Sequence, residues 1–376
     1  MRYSAIAQGC EVNRYYLDHN ASSPLRTDVR AALSTYVNDP LGNPGGVHWH
    51  GQRARALVER VRRLLRQSIG RSDGRVVFTS GATEANNLLL KSLPTETVVV
   101  CSRIEHASVL EPLLGHSGTS IHWLEADPDG RLDPDGFARV ARVVREGCLV
   151  LMAANNELGN LNDVTAFANV CLEFGWDMHV DAAQVHGRLG FDASHPGITS
   201  VTFSGHKAGG PPGVGALWVA NEKRLRPQME GGSQEMGYRS GTENVLALAG
   251  WEPLLAHPDE QSWQSLAAVR DELERWLEQT FGARANGDLQ RRLPNTLHCS
   301  FPDRDAEEVV MALDLEQVSI SAGSACTAGS QELSHVLRAM PWDDARRRGG
   351  VRISFGPEHV DLRLEFLKQR FMDALK

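Results

Sequence analysis

The sequence predicts an α/β protein: a large domain, residues 15–255, on a mostly parallel sheet between helices, then a smaller α+β domain, residues 256–376. Three observations carry this. Short apolar runs alternate with helical stretches through the first part of the chain, the mark of repeated β-α units. Most of these runs are apolar on both faces, as strands covered by helices on two sides must be. After the polar hinge AHPDEQSW (256–263), strands and helices recur at a shorter beat.

Taken in order, residues 52–69 place Ala54, Leu57, Val58, Val61, Leu64, Leu65 and Ile69 at helical spacing, and Gly70 ends the run. The expected strands are RVVFTS (75–80), TVVVCS (97–102), CLVLMAA (148–154), DMHVDA (177–182), SVTFSG (200–205) and GALWVA (215–220). Past the hinge, Leu266, Val269, Leu273, Trp276, Leu277 and Phe281 mark an amphipathic helix. TLHCSF, VSISAG and VRISF are the strands of the smaller domain, and Val360, Leu364, Leu367 and Phe371 mark a closing helix. The first 14 residues are expected to pack on the smaller domain.

Composition narrows the function. The 376 residues hold 41% hydrophobic and 23% charged side chains, ordinary for a soluble globular chain. A net charge of −8 gives no dominant basic surface, so no direct nucleic-acid binding is expected. The basic clusters RVRRLLR (60–66) and DDARRRGG (343–350) read as solvated faces. No apolar run of membrane-spanning length and no signal-peptide core occur, so the expected location is the cytoplasm. None of the six cysteines has metal-finger or CxxC spacing. Cys101, Cys148, Cys171 and Cys299 sit in apolar runs as small core residues. His48 and His50 lack further ligands nearby in sequence, and no metal is expected.

One lysine stands out. The chain has five lysines against 39 − 5 = 34 arginines, yet Lys207 sits in SGHKAGGPPGVG (204–215), a Gly- and Pro-rich stretch. Lysine is required where an amine must lose its proton and attack a carbonyl; from the loop alone, a solvated lysine is an equal reading. In open α/β sheets, ligands gather at the carboxyl ends of strands, and three other stretches place reactive groups there. VVFTSGATEANN leads from a strand into a helix, where the Ala82 backbone and Thr83 suit a phosphate, although Ser80 and Thr83 suit a helix cap as well. DMHVDAAQ ends an apolar strand on Asp181, a carboxylate that needs a positive partner or a capping role. SRIEHASVL puts His106 after another strand, able to stack on a flat ring and move protons. GxGxxG and GxxxxGK[ST] loops are absent, which argues against NAD and ATP. Phosphate site, acid, stacking histidine and lysine together describe pyridoxal 5'-phosphate (PLP).

With GNPGGVH, FTSGATEANN, EHASVLEP, NNELG, HVDAAQ, FSGHKAGGPPGVGAL, YRSGTEN, LPNTLHCSF and SAGSACTAGS in this order, the chain resembles the cysteine desulfurases of the NifS/IscS type, in the class V aminotransferase family. The likeness runs from YLDHNASSPLR (16–26) to VRISFG (351–356). It implies the fold-type I PLP-dependent transferase architecture, with a mostly parallel seven-stranded sheet in the large domain. It also implies an obligate homodimer with active sites at the subunit interface. By motif, Lys207 would bind PLP as a Schiff base and move the substrate's α-proton, His106 would stack on the ring, and Asp181 would pair with the ring nitrogen. Gln184 and Asn156 would contact the ring hydroxyl region, with Asn156 also near the substrate carboxylate. Thr83, Ser204 and His206 would hold the phosphate with Thr242 of the other subunit, and Arg352 would clamp the substrate carboxylate, a bidentate task suited to Arg.

Cys326 lies in SAGSACTAGS, a run of small residues that lets a thiol travel. The resemblance makes it the thiolate that takes sulfur from L-cysteine as a persulfide, releases L-alanine and passes sulfur to an acceptor protein. That acceptor would serve iron–sulfur cluster assembly or another thiolation pathway. A selenocysteine lyase or another class V aminotransferase or lyase would share the pocket; Cys326 discriminates, since transamination needs no mobile thiol. A binding or sulfur-carrier protein without catalysis is disfavoured by Lys207, Asp181 and His106. The chain departs from the family pattern at GGSQEMG, with Met236 where a basic residue is usual, at SFGPEHVD, with Pro357 for Arg, and in its short C-terminus. These departures bear on partner docking.

Overall fold

A computed structural model describes residues 14–39, 41–115, 118–323 and 333–376. Seven strands form the main sheet: β1 (Arg75–Thr79), β2 (Val98–Ser102), β3 (Ser120–Leu124), β4 (Cys148–Met152), β5 (Asp177–Asp181), β6 (Ser200–Ser204) and β7 (Gly215–Val219). Their spatial order is β1-β7-β6-β5-β4-β2-β3. β7 runs antiparallel to both neighbours, and the other pairings are parallel. The sheet is therefore α/β and mostly parallel, as the sequence predicts.

β4, β6 and β7 are buried along their whole length, which accounts for the unbroken apolar character of β4 and β7; β6 buries Ser200, Thr202 and Ser204 among its apolar residues. β3 is the strand that the apolar runs do not reveal. It lies at the sheet edge, and its residues SIHWL are mostly exposed or half-buried, so its sequence carries polar positions that a central strand could not.

Helix α1 (Trp49–Ser68) buries Ala54, Leu57, Val58, Val61 and Leu65 on one face. His48 caps its start, accepting from Gly51 N–H at 3.3 Å. Each buried Val or Leu contributes about 1.5–3 kcal/mol relative to exposure.

A second core gathers Leu266, Leu273, Leu277, Leu297, Val309, Val351, Ile353, Leu367 and Phe371, together with Leu17 from the start of the chain. Thr296–Ser300 is the centre of its three-stranded sheet, antiparallel to Gly350–Ser354 and to Arg284–Ala285. Tyr15–Tyr16 pairs in parallel with Val318–Ser319, and Arg14 donates to Asp314 at 2.5 Å. Residues 1–13 lie outside the described residues. Val336, Leu337, Met340 and Trp342 return to the main core. Among the described residues, no helix is long and apolar enough to cross a membrane.

Candidate active site

The carboxyl ends of β1, β2, β4, β5 and β6 share one edge of the sheet, so the loops that follow them meet there. Lys207 follows β6 in a short 3-10 turn, His206–Ala208, closed by Gly209 at φ 87°. A side chain at Gly210 would come within 2.6 Å of Gly205 O. The glycines are thus needed to fold the loop back tightly beneath the lysine. Lys207 Nζ donates to Asn20 O at 2.7 Å and Ala21 O at 2.9 Å.

Asp181 ends β5 and is buried. It accepts from Asn86 Nδ2 at 2.8 Å and from Ala183 N–H at 3.0 Å. Both donors are neutral, so the site still suits a positively charged partner for this carboxylate. His106 follows β2, and its Nδ1 lies 2.8 Å from Ser108 Oγ. Burial pushes its basicity down; the Asp181 charge opposes this, and Lys207 and His335 add to it. His106 therefore sits within electrostatic reach of both other candidates.

Helix α2 (Ala82–Leu90) starts at Gly81 without a side-chain cap, and a Cβ built at Gly81 would meet nothing within 4 Å. The alternative of a Ser80 or Thr83 side-chain cap is not what forms. A helix start with no side-chain cap among the described residues, and with room at Gly81, is what an anion site requires. Thr83 and His106 line the same cavity of about 690 Å³. Ser204 is buried at the end of β6. His206 is held to about 4 by burial and by the charges of Lys207 and Arg188.

Gln184 donates to Asn20 O at 3.0 Å. Asn156, after β4, accepts through its backbone oxygen from Arg352 at 3.0 Å and from Asn20 at 3.1 Å. Arg352 is buried and also donates to Asp18 Oδ1 at 2.6 Å. The clamp expected from sequence is thus already oriented by a carboxylate and a carbonyl, while its Nε has no partner among the described residues. Thr242 is exposed on the loop before helix Val245–Ala256. Cys326 lies outside the described residues.

Several residues of this region are not singled out by sequence reasoning. Asn20, Asn86 and Arg188 form its hydrogen-bonded floor. Glu105 is fully buried beside Ser102; burial and Asp181 push its carboxyl well above the usual range. Glu157 is buried likewise and accepts from Ser334 Oγ at 2.6 and 2.8 Å. His335 donates through Nε2 to Glu105 O at 2.7 Å. The signal for Asn86 lies inside GATEANN, since Asn86 stands one turn into the helix that follows β1.

The residues fit PLP: an amine, an uncompensated buried carboxylate, a flat imidazole and an uncapped helix start all converge. Sheet, strand-end lysine and acid define the chain as an α/β transferase of fold type I. It belongs to the aminotransferase class-V family, which it matches over residues 15–361, among the cysteine desulfurases of the NifS/IscS type. It is 34% identical to a "Cysteine desulfurase IscS" of Dictyoglomus turgidum, over 96% of this chain and 95% of that one. It is 34% identical to an "IscS-like cysteine desulfurase" of Mycobacterium tuberculosis, over 92% of each. Among solved structures, a NifS-like protein from Rickettsia africae matches with TM-score 0.86 at 26% identity, covering 96% of this chain and 99% of that one. "SspA in complex with cysteine" matches with TM-score 0.78 at 30% identity, covering 91% and 99%.

Proposed function

We propose that this enzyme uses PLP to convert L-cysteine to L-alanine, with Cys326 taking the sulfur as a persulfide for delivery to an acceptor protein. The observation that carries the reading is the convergence of Lys207, His106 and Asp181 at strand ends, with Asn86 and Ser108 linking Asp181 to His106 by hydrogen bonds of 2.8–2.9 Å. The similarity to a protein whose structure holds cysteine supports the substrate.

When bound, PLP supplies an electron sink for the substrate's α-carbon. Asp181 provides the negative charge for the ring nitrogen, and His106 the flat face against the ring. The N-terminal amides of α2 at Ala82 and Thr83, with Ser204 and His206, hold the phosphate. Thr242, exposed before its helix, serves the same group in a second subunit of a homodimer. Gln184 and Asn156 border the ring, and Arg352 binds the substrate carboxylate. Lys207 moves the proton at the α-carbon. The Cys326 thiolate attacks the substrate sulfur, so an S–S bond forms as the Cβ–S bond breaks. The electron pair stays on carbon, which takes a proton to give alanine. Cysteine and a thiol become alanine and a persulfide, with no outside oxidant.

The acceptor is a protein of iron–sulfur assembly or of another thiolation pathway, and the setting is the cytoplasm. The test gives wild type and Cys326→Ser L-cysteine plus a reductant and quantifies alanine and sulfide together. Equal amounts from wild type and none from the variant support the reading. Alanine without sulfide, or full turnover by the variant, would overturn it.

A further inference from the structure

Two residues behind the candidate site, Arg188 and Asn20, take no part in the roles given above. Arg188 is 1% exposed, and the hydrogen bonds of its guanidinium go to neutral oxygens. Nε and one terminal nitrogen both donate to Lys207 O, at 2.8 and 2.5 Å. The same terminal nitrogen reaches His19 O at 2.6 Å and Ser23 Oγ at 3.5 Å. The other donates to Asn20 Oδ1 and Gln184 Oε1, each at 2.8 Å. The guanidinium also lies over the Trp263 ring, 4.7 Å from its centroid. Burial and the Arg352 charge lower Arg188 to about 9. A buried cation with no carboxylate partner among the described residues is costly, and this one is directed at the peptide that carries Lys207.

Asn20 completes the connection. Its backbone oxygen accepts from Lys207 Nζ at 2.7 Å and from Gln184 at 3.0 Å. Its side chain donates to Thr296 Oγ1 at 2.9 Å and to Asn156 O at 3.1 Å. That Asn156 oxygen also accepts from Arg352 at 3.0 Å. A continuous set of hydrogen bonds thus runs Lys207, Arg188, Asn20, Asn156, Arg352.

We infer that Arg188 and Asn20 form a positioning relay that fixes the amine of Lys207 relative to the guanidinium of Arg352. The inference rests on the proposed function, in which one substrate must meet both groups. The planar fork of Arg188 is what lets one side chain bind the Lys207 carbonyl twice and still reach Asn20 and Gln184. An ammonium at this position keeps the charge and loses the fork.

The test compares wild type, Arg188→Lys, Asn20→Ala and the double variant. PLP bound at Lys207 is quantified by borohydride trapping and mass spectrometry; kcat and KM for L-cysteine are then expressed per trapped site, and thermal unfolding is followed in parallel. Each single variant should lower kcat per trapped site by about tenfold, the scale of one charge-assisted hydrogen bond. The double variant should be no worse than the weaker single within about threefold, because residues in one network do not add. Unchanged kcat per trapped site, or penalties that multiply, would overturn the relay even if unfolding temperatures fall. Asn20→Ala keeps the test open if Arg188→Lys fails to fold. No trapping in wild type would instead overturn the proposed function, and the relay with it.

Discussion

Asn86 donates to Asp181 across 2.8 Å, and its amide can face only one way. Its Nδ2 also donates to Ser108 Oγ at 2.9 Å, which leaves Oδ1 to accept from His179 Nε2 at 3.0 Å. His179 Nδ1 then accepts from Ser200 Oγ at 2.9 Å. Burial holds His179 to about 4, so it is neutral at physiological pH and keeps this tautomer. Ser200, His179 and Asn86 thereby aim a donor at the carboxylate expected to pair with the cofactor ring nitrogen. Asn86→Leu should weaken PLP binding by about 10- to 100-fold, for a lost bond to a charged group of ~1.5–3 kcal/mol. Absorbance titration of the apoprotein measures this; an unchanged affinity would remove Asn86 from the support of Asp181.

Arg352 gives a prediction about substrate. It is held by Asp18 at 2.6 Å and by Asn156 O at 3.0 Å. Arg352→Ala should raise KM for L-cysteine by about one to two orders of magnitude, for a lost charge-assisted pair. Asp18→Asn should raise it less, because one orienting contact remains. Steady-state kinetics decide this, and a KM unaffected in Arg352→Ala would show that the substrate carboxylate binds elsewhere.

How far the sequence reaches depends on what each residue does. Lys207, Asp181 and His106 are legible as candidates because strand ends are marked by apolar runs; each alone has a bland reading, and it is their combination at strand ends that points to one cofactor. Arg188 is hidden: in a chain with 34 arginines, one more carries no signal, and its burial depends on segment 19–23 returning across the sheet edge. Asn20 is hidden for the same reason, since its partners Asn156 and Thr296 are distant in sequence. Strand β3 is missed because an edge strand need not be apolar. The departure at SFGPEHVD is visible as letters only. In the fold, Glu358 meets buried His19 at 2.8 Å, more than 300 residues away in sequence.

Glu235 and Met236 test the second departure, GGSQEMG. Both adopt left-handed backbone angles, φ 45° and 58°. Glu235 is buried and binds Arg62 through two bonds of 2.8 Å, and it also accepts from Phe78 N–H at 2.8 Å. Glu235→Gln should destabilise the protein by about 3 kcal/mol, since it leaves buried Arg62 with only the exposed Glu59, at 3.1 Å, as an ionic partner. Met236→Gly should be stabilising by about 1 kcal/mol, because glycine adopts that backbone without strain. Urea unfolding measures both; a stable Glu235→Gln would show that the pair does not hold this loop.

His186 sets a pH dependence whose sign can be worked out. It is buried against Phe203, with ring centroids 4.8 Å apart, and its Nε2 lies 2.9 Å from Ser68 Oγ. Burial lowers it to about 4 from the ordinary 6.5. The unfolded chain therefore takes up a proton that the folded chain refuses between these two values. Stability from this group is complete above pH ~6.5 and is lost as pH falls toward ~4, with a slope approaching 1.4 kcal/mol per pH unit. Other buried histidines, among them His179 and His298, act in the same direction, while Glu105 and Glu157, whose carboxyls are raised, act in the opposite one. The single contribution is isolated by comparing wild type with His186→Gln, which keeps a polar side chain toward Ser68 and cannot take up a proton. Unfolding free energies measured by urea at several pH values between about 7 and 5 should fall less steeply for the variant, by close to one proton. Parallel slopes for the two proteins would mean that the folded state accommodates the charged imidazole at this site, and the burial argument for His186 would fail.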